Sequence, residues 1–354
     1  MRNKGQLHIV RKSLMSLFLV GGTLSSTAQL NFDAKTLHRV YAHPDGFYSY
    51  APSVIDAGDT RYIWTCHNHD PFIVRDNIVM STFQHEKLVD DRSVLAPEFS
   101  GWDSFHICDP SVMRSDITYN KITYHWVMFF LGNDVDRSAR NQIGVALSQS
   151  VQGPWEKLPD PVLRNSGGEG WGIGQASALP LDGTGKFLVV YSGNGLQAST
   201  VDLSDLGHIT VSKPIDVTAS GLETLSSAKW PVGNMDVAYS KDRKHIFAVA
   251  DIHLAQTGSP TFITSKLAVL SIETAKLQDG GGKWIVEAVI DPLLTGFPRN
   301  HNAGLARDAD GGIANPDVLS VVFTRSCAAT SNVPCKGRVE YSYDLWEISA
   351  PIKK

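Results

Sequence analysis

With 354 residues, the chain is long enough to bury a large core, and its length fits either two domains or one large all-β domain. Lys and Arg number 32 against 36 Asp and Glu, so the formal net charge is −4. Nucleic acids and anionic membranes need basic patches on a partner, so this balance argues against both and leaves neutral ligands such as sugars open.

The first 29 residues predict a secretory signal peptide. A basic stretch from Arg2 to Lys12 precedes an apolar run from Leu14 to Val20 and a small-residue stretch that ends at Ala28. The apolar run is too short to cross a bilayer, and no later segment is long and apolar enough to do so. We therefore expect residues 30–354 to be secreted or periplasmic, without a membrane span.

Export would place the four cysteines in an oxidising compartment. Cys327 and Cys335 bracket a short polar loop and predict a local disulfide. Cys66 and Cys108 would form the second pair, although four cysteines allow three connectivities.

Five segments predict the first strand of a sheet, and each is followed by a polar turn and an apolar strand. The residues that open these strands are spaced by 58, 66, 61 and 66 residues, and they are Ala51, Asp109, Gln175, Asp236 and Asn302. A repeat spacing of about sixty residues is typical of four-stranded propeller blades.

The sequence therefore predicts an all-β fold, a single five-bladed β-propeller domain over residues 30–354. We expect the last strand, YDLWEIS, to pair with the first blade region and close the ring. A β-sandwich with irregular loops is the alternative, but sandwiches place turns every 8–12 residues without the longer repeat spacing.

The segment from Cys108 to Trp155 carries the sharpest motifs. CDPSVMR, the apolar strand YHWVMFF and IGVALSQSVQGPWEK follow one another here. They resemble the five-bladed propeller glycosidases of glycoside hydrolase family 43 and its relatives. The resemblance implies a central funnel, lined by the openings of the five inner strands, in which carboxylates hydrolyse a glycosidic bond.

The resemblance implies two catalytic carboxylates and a third that tunes the acid. Asp109 matches the acid of the Asp-Pro-Ser motif, and Asp236 opens the fourth inner strand. Glu169, in a glycine-rich loop, is the remaining candidate for the general acid. Ala51 stands where the family carries an acid before Pro-Ser. Each acid also has a structural interpretation: an Asp before Pro caps backbone amides, Asp236 forms hydrogen bonds at the end of a strand, and Glu169 suits a solvated loop.

Further residues are predicted to contact substrate. His301 matches a histidine near the propeller axis that in the resembling family binds a central cation through water; no other cofactor is expected. Aromatic rings suit the C–H faces of sugars, although blade packing also uses tryptophan. The predicted substrate-binding residues are His67, His69, Asp70, Trp102, Trp171, Gln175, Trp230, Arg299 and His301. A divalent metal at His67, His69 and Asp70 is an alternative for that group.

These observations predict a monomeric, secreted glycoside hydrolase that acts by inversion on an arabinose- or xylose-type or related oligo- or polysaccharide. Because Ala51 replaces an expected acid, a non-catalytic glycan-binding propeller is the alternative.

Overall fold

A computed structural model confirms the five-bladed β-propeller. The structure describes residues 30–44, 48–68, 73–136, 139–166, 168–217, 221–226, 228–253, 263–326 and 343–352. The predicted signal peptide and the predicted pair Cys327–Cys335 lie outside these residues.

The blades follow one another along the chain, and each begins with its innermost strand. Blade 1 contains β2 (Ser49–Ala57), β3 (Thr60–Asn68), β4 (Asp76–Gln84) and β5 (Lys87–Leu95). Blade 2 contains β6 (His106–Tyr119), β7 (Ile122–Asn133), β8 (Gln142–Ser148) and β9 (Glu156–Lys157). Blade 3 contains β10 (Gly174–Pro180), β11 (Lys186–Gly193) and β12 (Gly195–Asp202), with β13 (Thr210–Val211) and β14 (Ile215–Asp216) beside β12.

The last two blades complete the ring. Blade 4 contains β15 (Val232–Tyr239), β16 (His245–Ile252), β17 (Leu267–Glu273) and β18 (Ile285–Ile290). Blade 5 contains β19 (Arg299–Arg307), β20 (Val318–Ser326), β21 (Tyr343–Pro351) and the N-terminal β1 (His38–Tyr41). Two short α-helices, α1 (Thr274–Gln278) and α2 (Pro292–Thr295), and a 3₁₀ turn, Ala34–Thr36, lie in connections.

The ring closes as expected, because β1 pairs antiparallel with β21 and so joins the two ends of the chain in one blade. A short parallel pairing of Ala306 with Val54 and of Arg307 with Ile55 also links β19 to β2. The core lies between the blades: Phe129 and Phe187, for example, meet edge to face between blades 2 and 3. Burial of these apolar side chains is what holds adjacent blades together.

Each inner strand carries a bulge at the same level. The residue at the bulge has a positive φ although it is not glycine, and the five are Ala51 (52°), Asp109 (49°), Gln175 (53°), Asn234 (50°) and Asn302 (44°). The pairing register with the second strand of the blade shifts at each of these places. Such backbone conformations are uncommon and are found often at functional sites. The blade-four position is therefore Asn234, and the sequence interpretation that placed Asp236 there was wrong by two residues.

A ring of side chains lies two residues beyond the bulges. Ser53, Ser111, Ser177 and Asp236 each accept a hydrogen bond from a backbone N–H of the next inner strand, those of Val112, Ala178, Val237 and Leu305. The fifth position is Gly304, where a Cβ would lie 2.1 Å from the carbonyl oxygen of Pro52. Asp236 thus belongs to a structural ring whose side chains join the blades at four of the five junctions.

Across the described ranges, no helix has the length and apolarity needed to cross a membrane.

Candidate functional site

One end of the propeller opens into a cavity of about 670 Å³, a size typical of small-ligand sites. All five blades contribute to its wall. The described lining residues are Tyr48, Tyr50, Ile73, Val74, His106, Asn133, Val135, Asp136, Trp171, Gln175, Ser192, Gly193, Asn234, His253, His301 and Tyr343.

A second, much smaller cavity of about 30 Å³ lies among the bulges of the inner strands. Gln175 and Asn234 border both cavities, whereas Asp109 and Asn302 border the small one. A polar space of this volume has room for one water molecule. We call it the floor cavity.

Asp109 is the only carboxylic acid at the five bulge positions, and only 7% of the residue is exposed. Burial, and to a smaller extent the charges of Asp76 and Asp251, raise the pKa of Asp109 to about 7. The charge of His301 and a contact from the side chain of Asn302 act in the opposite direction. Asp109 is therefore a carboxyl group that can gain or lose a proton near neutral pH, as acid–base catalysis requires.

The predicted disulfide between Cys66 and Cys108 is present and joins β3 of blade 1 to β6 of blade 2. It lies directly against Asp109: the backbone N–H of Asp109 donates to Cys66 Sγ at 2.8 Å, and Asp109 Oδ1 is 3.4 Å from Cys108 Sγ. The bridge thus fixes the backbone of Asp109, which the positive φ already makes unusual.

His301 forms a second titratable unit in the cavity wall. Its Nδ1 lies 2.7 Å from Oδ2 of Asp251, which is wholly buried. The side chain of Asn234 and the backbone N–H of Asn302 also donate to this carboxylate, at 2.7 and 2.8 Å. An acid held on one nitrogen of an imidazole orients the ring and leaves the other nitrogen for the cavity.

Aromatic rings form much of the remaining wall. Tyr48, Tyr50 and Tyr343 pack on one another with ring centroids 5.3 to 5.6 Å apart. Trp171 is at the rim, where backbone bonds from Arg140 and Asn141 to the 170–171 segment hold the loop in place. Flat aromatic surfaces beside polar groups such as Gln175 suit the apolar faces and hydroxyl groups of sugars.

Of the residues predicted from sequence, Trp171, Gln175 and His301 line the main cavity, and Asp109 lines the floor cavity. Asp236 also borders the floor cavity, but its oxygens are engaged by Ser177 and the N–H of Leu305, and Arg307 lies 3.6 Å away. We assign Asp236 a structural role on this account. Glu169 is exposed at the rim, 3.9 Å from Arg140, and is not among the described lining residues.

Other predicted contacts are placed elsewhere by packing. Trp102 stacks on Phe130 in the core between blades 1 and 2, where Gly132 and Gly144 make room for its ring.

Trp230 lies under Lys229 and is not among the described lining residues, and its carbonyl oxygen is 3.1 Å from Nδ1 of His253.

Arg299 is buried and donates to the carbonyl oxygen of Ile263. His67 is buried behind the wall, 2.8 Å from the carbonyl oxygen of Tyr48. His69 and Asp70 lie outside the described residues, so neither their substrate contact nor the metal alternative is tested.

The structure also shows site residues that sequence reasoning missed. Tyr48, Asn133, Asn234, His253 and Tyr343 line the cavity, and Asp76 and Asp251 stand behind it. The bulge pattern would have found Asn234, since it follows from counting along each inner strand. The two buried acids carry no local motif, because their partners come from distant strands.

A cation near His301 stays a prediction. In the described part of the chain, the acidic, histidine and cysteine side chains that cluster tightly enough to ligate an ion directly are Cys66, Asp76 and Cys108. Two of these are joined in the disulfide and cannot act as thiolates. Among the described residues, His301 is not part of such a cluster.

No protein-family model and no curated protein sequence matches the chain. Solved structures do. An α-L-arabinofuranosidase from Podospora anserina, in complex with cellotriose, covers 92% of this chain and 97% of its own at a TM-score of 0.57 and 10% identity. The chain has the fold of the five-bladed propeller glycoside hydrolases.

Two further solved structures have a similar fold. A family 117 glycoside hydrolase from Zobellia galactanivorans matches at a TM-score of 0.57 and 12% identity, over 91% of both chains. A thermostable family 43 glycoside hydrolase matches at 0.53 and 17% identity, over 89% of this chain and 93% of its own. At such identities the likeness concerns the fold, and the chemistry has to be argued from this chain's own residues.

Proposed function

We propose that this protein is a glycoside hydrolase. The observation that carries the proposal is a pair of proton-transfer groups at two adjoining cavities: Asp109 in the floor cavity, whose pKa burial raises to about 7, and His301 in the wall of the main cavity, which Asp251 holds. The main cavity is large enough for sugar residues, and Gln175 and Asn234 border both it and the floor cavity. Glycosidic bond hydrolysis needs one group that donates a proton and one that accepts a proton.

The arrangement suggests a role for each unit. Ionised Asp109 accepts a proton from a water molecule in the floor cavity, and the oxygen of that water attacks the anomeric carbon. The bond from this carbon to the leaving oxygen breaks, and His301 donates its proton to that oxygen. Attack by water in a single displacement inverts the anomeric centre, as the sequence predicts.

The substrate class follows from the wall of the cavity. Tyr48, Tyr50, Tyr343 and Trp171 supply flat apolar surfaces, and Gln175 and Asn234 supply amide groups for hydroxyls. We propose a neutral arabinose- or xylose-type glycan, in line with the α-L-arabinofuranosidase activity named for proteins of similar fold. The disulfide supports secretion or a periplasmic location, because such bonds persist in oxidising compartments. We expect a monomer.

The test is sugar release by residues 30–354 from a panel of pentofuranosyl and pentopyranosyl glycans. Asp109→Asn and His301→Gln should each lower kcat/KM by about a thousandfold or more, since each removes a proton-transfer group. Asp116→Asn is the matched control, because Asp116 is an exposed acid on the same strand, paired with His125. If Glu169→Gln lowers kcat/KM as much as Asp109→Asn does, Glu169 rather than His301 would be the proton donor.

The pH dependence gives a second check. Because Asp109 must be ionised to accept a proton, kcat/KM should rise with pH through about 7, and because His301 must carry the proton that it donates, kcat/KM should fall again at higher pH. NMR detection of the first-formed anomer decides between inversion and retention. A rate that only falls as pH rises through 7, without a rising limb, would instead make Asp109 the proton donor.

A non-catalytic glycan-binding protein is the second candidate. Four of the five bulge positions carry no charge, namely Ala51, Gln175, Asn234 and Asn302. Amides are good partners for sugar hydroxyls and poor acid–base groups. Saturable binding of a glycan that Trp171→Ala weakens, without product release from any member of the panel, would establish this function.

A further inference from the structure

A second buried carboxyl group, that of Asp76 on β4, lies behind the cavity wall and has no exposed surface. We propose that Asp76 is a positioning residue of the site: it anchors Tyr48 in the wall and, through its charge, sets the pH at which Asp109 ionises. The inference deepens the proposed function, on which its catalytic meaning rests.

The disulfide brings the two acids together. A carboxylate oxygen of Asp76 lies within 4.8 Å of the sulfur atoms of both Cys66 and Cys108. Asp109 Oδ1 lies 3.4 Å from the same Cys108 sulfur, so these two carboxylate oxygens are no more than about 8 Å apart. Disulfide sulfur offers little hydrogen bonding or screening, and two charges across it interact far more strongly than across water.

Asp76 also anchors the wall. The hydroxyl of Tyr48 donates to Asp76 Oδ1, and Tyr50 lies close enough for its hydroxyl to affect the ionisation of Asp76. His106 of blade 2 accepts a hydrogen bond from the backbone N–H of Asp76, and its Nδ1 is 3.9 Å from Oδ2. Tyr48, Tyr50 and His106 all line the main cavity. Asp76 thus adjoins three side chains of the wall and is not itself among the described lining residues.

The neighbouring groups of Asp109 and Asp76 determine the pH at which each carboxyl group ionises. Asp109 is influenced by Asp76, His301 and Asp251, and Asp76 by the two tyrosines. Burial raises the pKa of Asp76 to about 7, the same range as Asp109, so the two are expected to ionise as a coupled pair. His106 stays neutral there, because burial lowers its pKa to about 4.

The experiment is a pH titration of ¹³C-labelled aspartate carboxyls in residues 30–354, with the Asp109 signal assigned by its absence from Asp109→Asn. In Asp76→Asn the ionisation midpoint of Asp109 should fall by about 1 pH unit, because a like charge is removed. The matched control is Asp91→Asn: Asp91 is in the same blade and accepts from Tyr41 at 2.7 Å and Ser81 at 2.9 Å, but does not face Asp109. Its substitution should leave the midpoint unchanged.

Tyr48→Phe tests the same coupling if Asp76→Asn does not fold. Loss of the tyrosine hydroxyl removes a hydrogen bond that favours ionised Asp76, so the midpoint of Asp76 should rise and that of Asp109 should fall. Opposite movement of the two midpoints is a signature that a purely structural anchor would not give. An Asp109 midpoint that stays in place in both variants would overturn the proposal.

The titration needs no substrate, so it tests the coupling of Asp76 and Asp109 independently of the proposed hydrolase activity. Absence of sugar release together with the expected shifts would leave the coupling intact and remove the hydrolase. With an active enzyme, the acid limb of kcat/KM should move to lower pH in Asp76→Asn by the same amount as the midpoint of Asp109.

Discussion

Asp109 is held in a conformation and an environment that oppose folding. Its backbone has a φ of 49°, and its carboxyl group is desolvated. In the unfolded chain this carboxyl ionises near its ordinary value of 3.8, whereas the folded protein keeps the proton up to about pH 7. Folding stability is therefore lost as pH rises from about 4 to about 7, by an amount on the order of a few kcal/mol for this group.

Asp109→Asn should therefore be more stable than the unsubstituted protein at pH 8 and close to it at pH 4, since asparagine has no charge to desolvate. Urea unfolding of residues 30–354 at both pH values measures this, with the exposed acid Asp116→Asn as control. We expect a gain of about 2 kcal/mol at pH 8. An equal loss at both pH values would mean that the carboxylate is needed for the fold.

Individual residues were predictable from the sequence where a local motif marks them. Asp109 precedes Pro110 at the start of an inner strand, and His301 stands at the start of β19, so position along the strand predicted the part of the funnel each occupies. Asp76 and Asp251 have no such mark. Asp76 begins a third strand and Asp251 is near the end of a second strand, and each matters because another blade packs against it.

At the scale of the strand, the repeated bulge organises the molecule. At one level of all five inner strands, a residue has a positive φ and the pairing register shifts. Two residues later, four of the five strands carry a side chain that accepts a hydrogen bond from the next blade. The regular spacing of strands and turns was predictable from the sequence, because each blade repeats it. The register inside blade 4 was not, because Asp236 resembles Asp109 chemically while Asn234 is its structural equivalent.

The ring of side chains two residues beyond the bulges predicts a loss of stability when Ser177 is replaced. The hydroxyl of Ser177 accepts a hydrogen bond from the N–H of Val237 at 3.0 Å and donates one to Asp236. In Ser177→Ala a buried N–H loses its partner, so unfolding free energy should fall by about 1–3 kcal/mol. Ser204→Ala is the control, since Ser204 is in an exposed turn and should change stability by less than about 0.5 kcal/mol. Equal unfolding curves for the two variants would show that the ring is not a stabilising element.

At the scale of the whole molecule, the wall of the main cavity depends on a closed ring. Tyr48 and Tyr50 come from the first blade and Tyr343 from the last, so this aromatic wall exists because blades 1 and 5 are held together. Arg61 strengthens the same junction by pairing with Asp56 in its own blade and with Glu347 of β21. Closure was predictable from the terminal strand pattern, but the way in which it builds a cavity wall was not.

The N-terminal segment that closes the ring should therefore be essential to stability. Within residues 30–41 the side chains of Leu30, Phe32 and Tyr41 are buried, and β1 pairs with the edge of β21. Protein that begins at residue 42 should lose several kcal/mol, because each buried large apolar side chain contributes about 1.5–3 kcal/mol. Calorimetry should show a Tm at least about 10 °C below that of residues 30–354.

Truncation should also expose the unpaired edge of β21, so light scattering should detect association that the longer protein does not show. The full 354-residue chain compared with residues 30–354 is the control, because the segment removed there precedes the strand that closes the ring. An unchanged Tm for the protein that begins at residue 42 would mean that the parallel contact of β19 with β2 closes the ring alone. In that case glycan binding at Tyr48, Tyr50 and Tyr343 would survive the truncation, since the wall would keep its geometry.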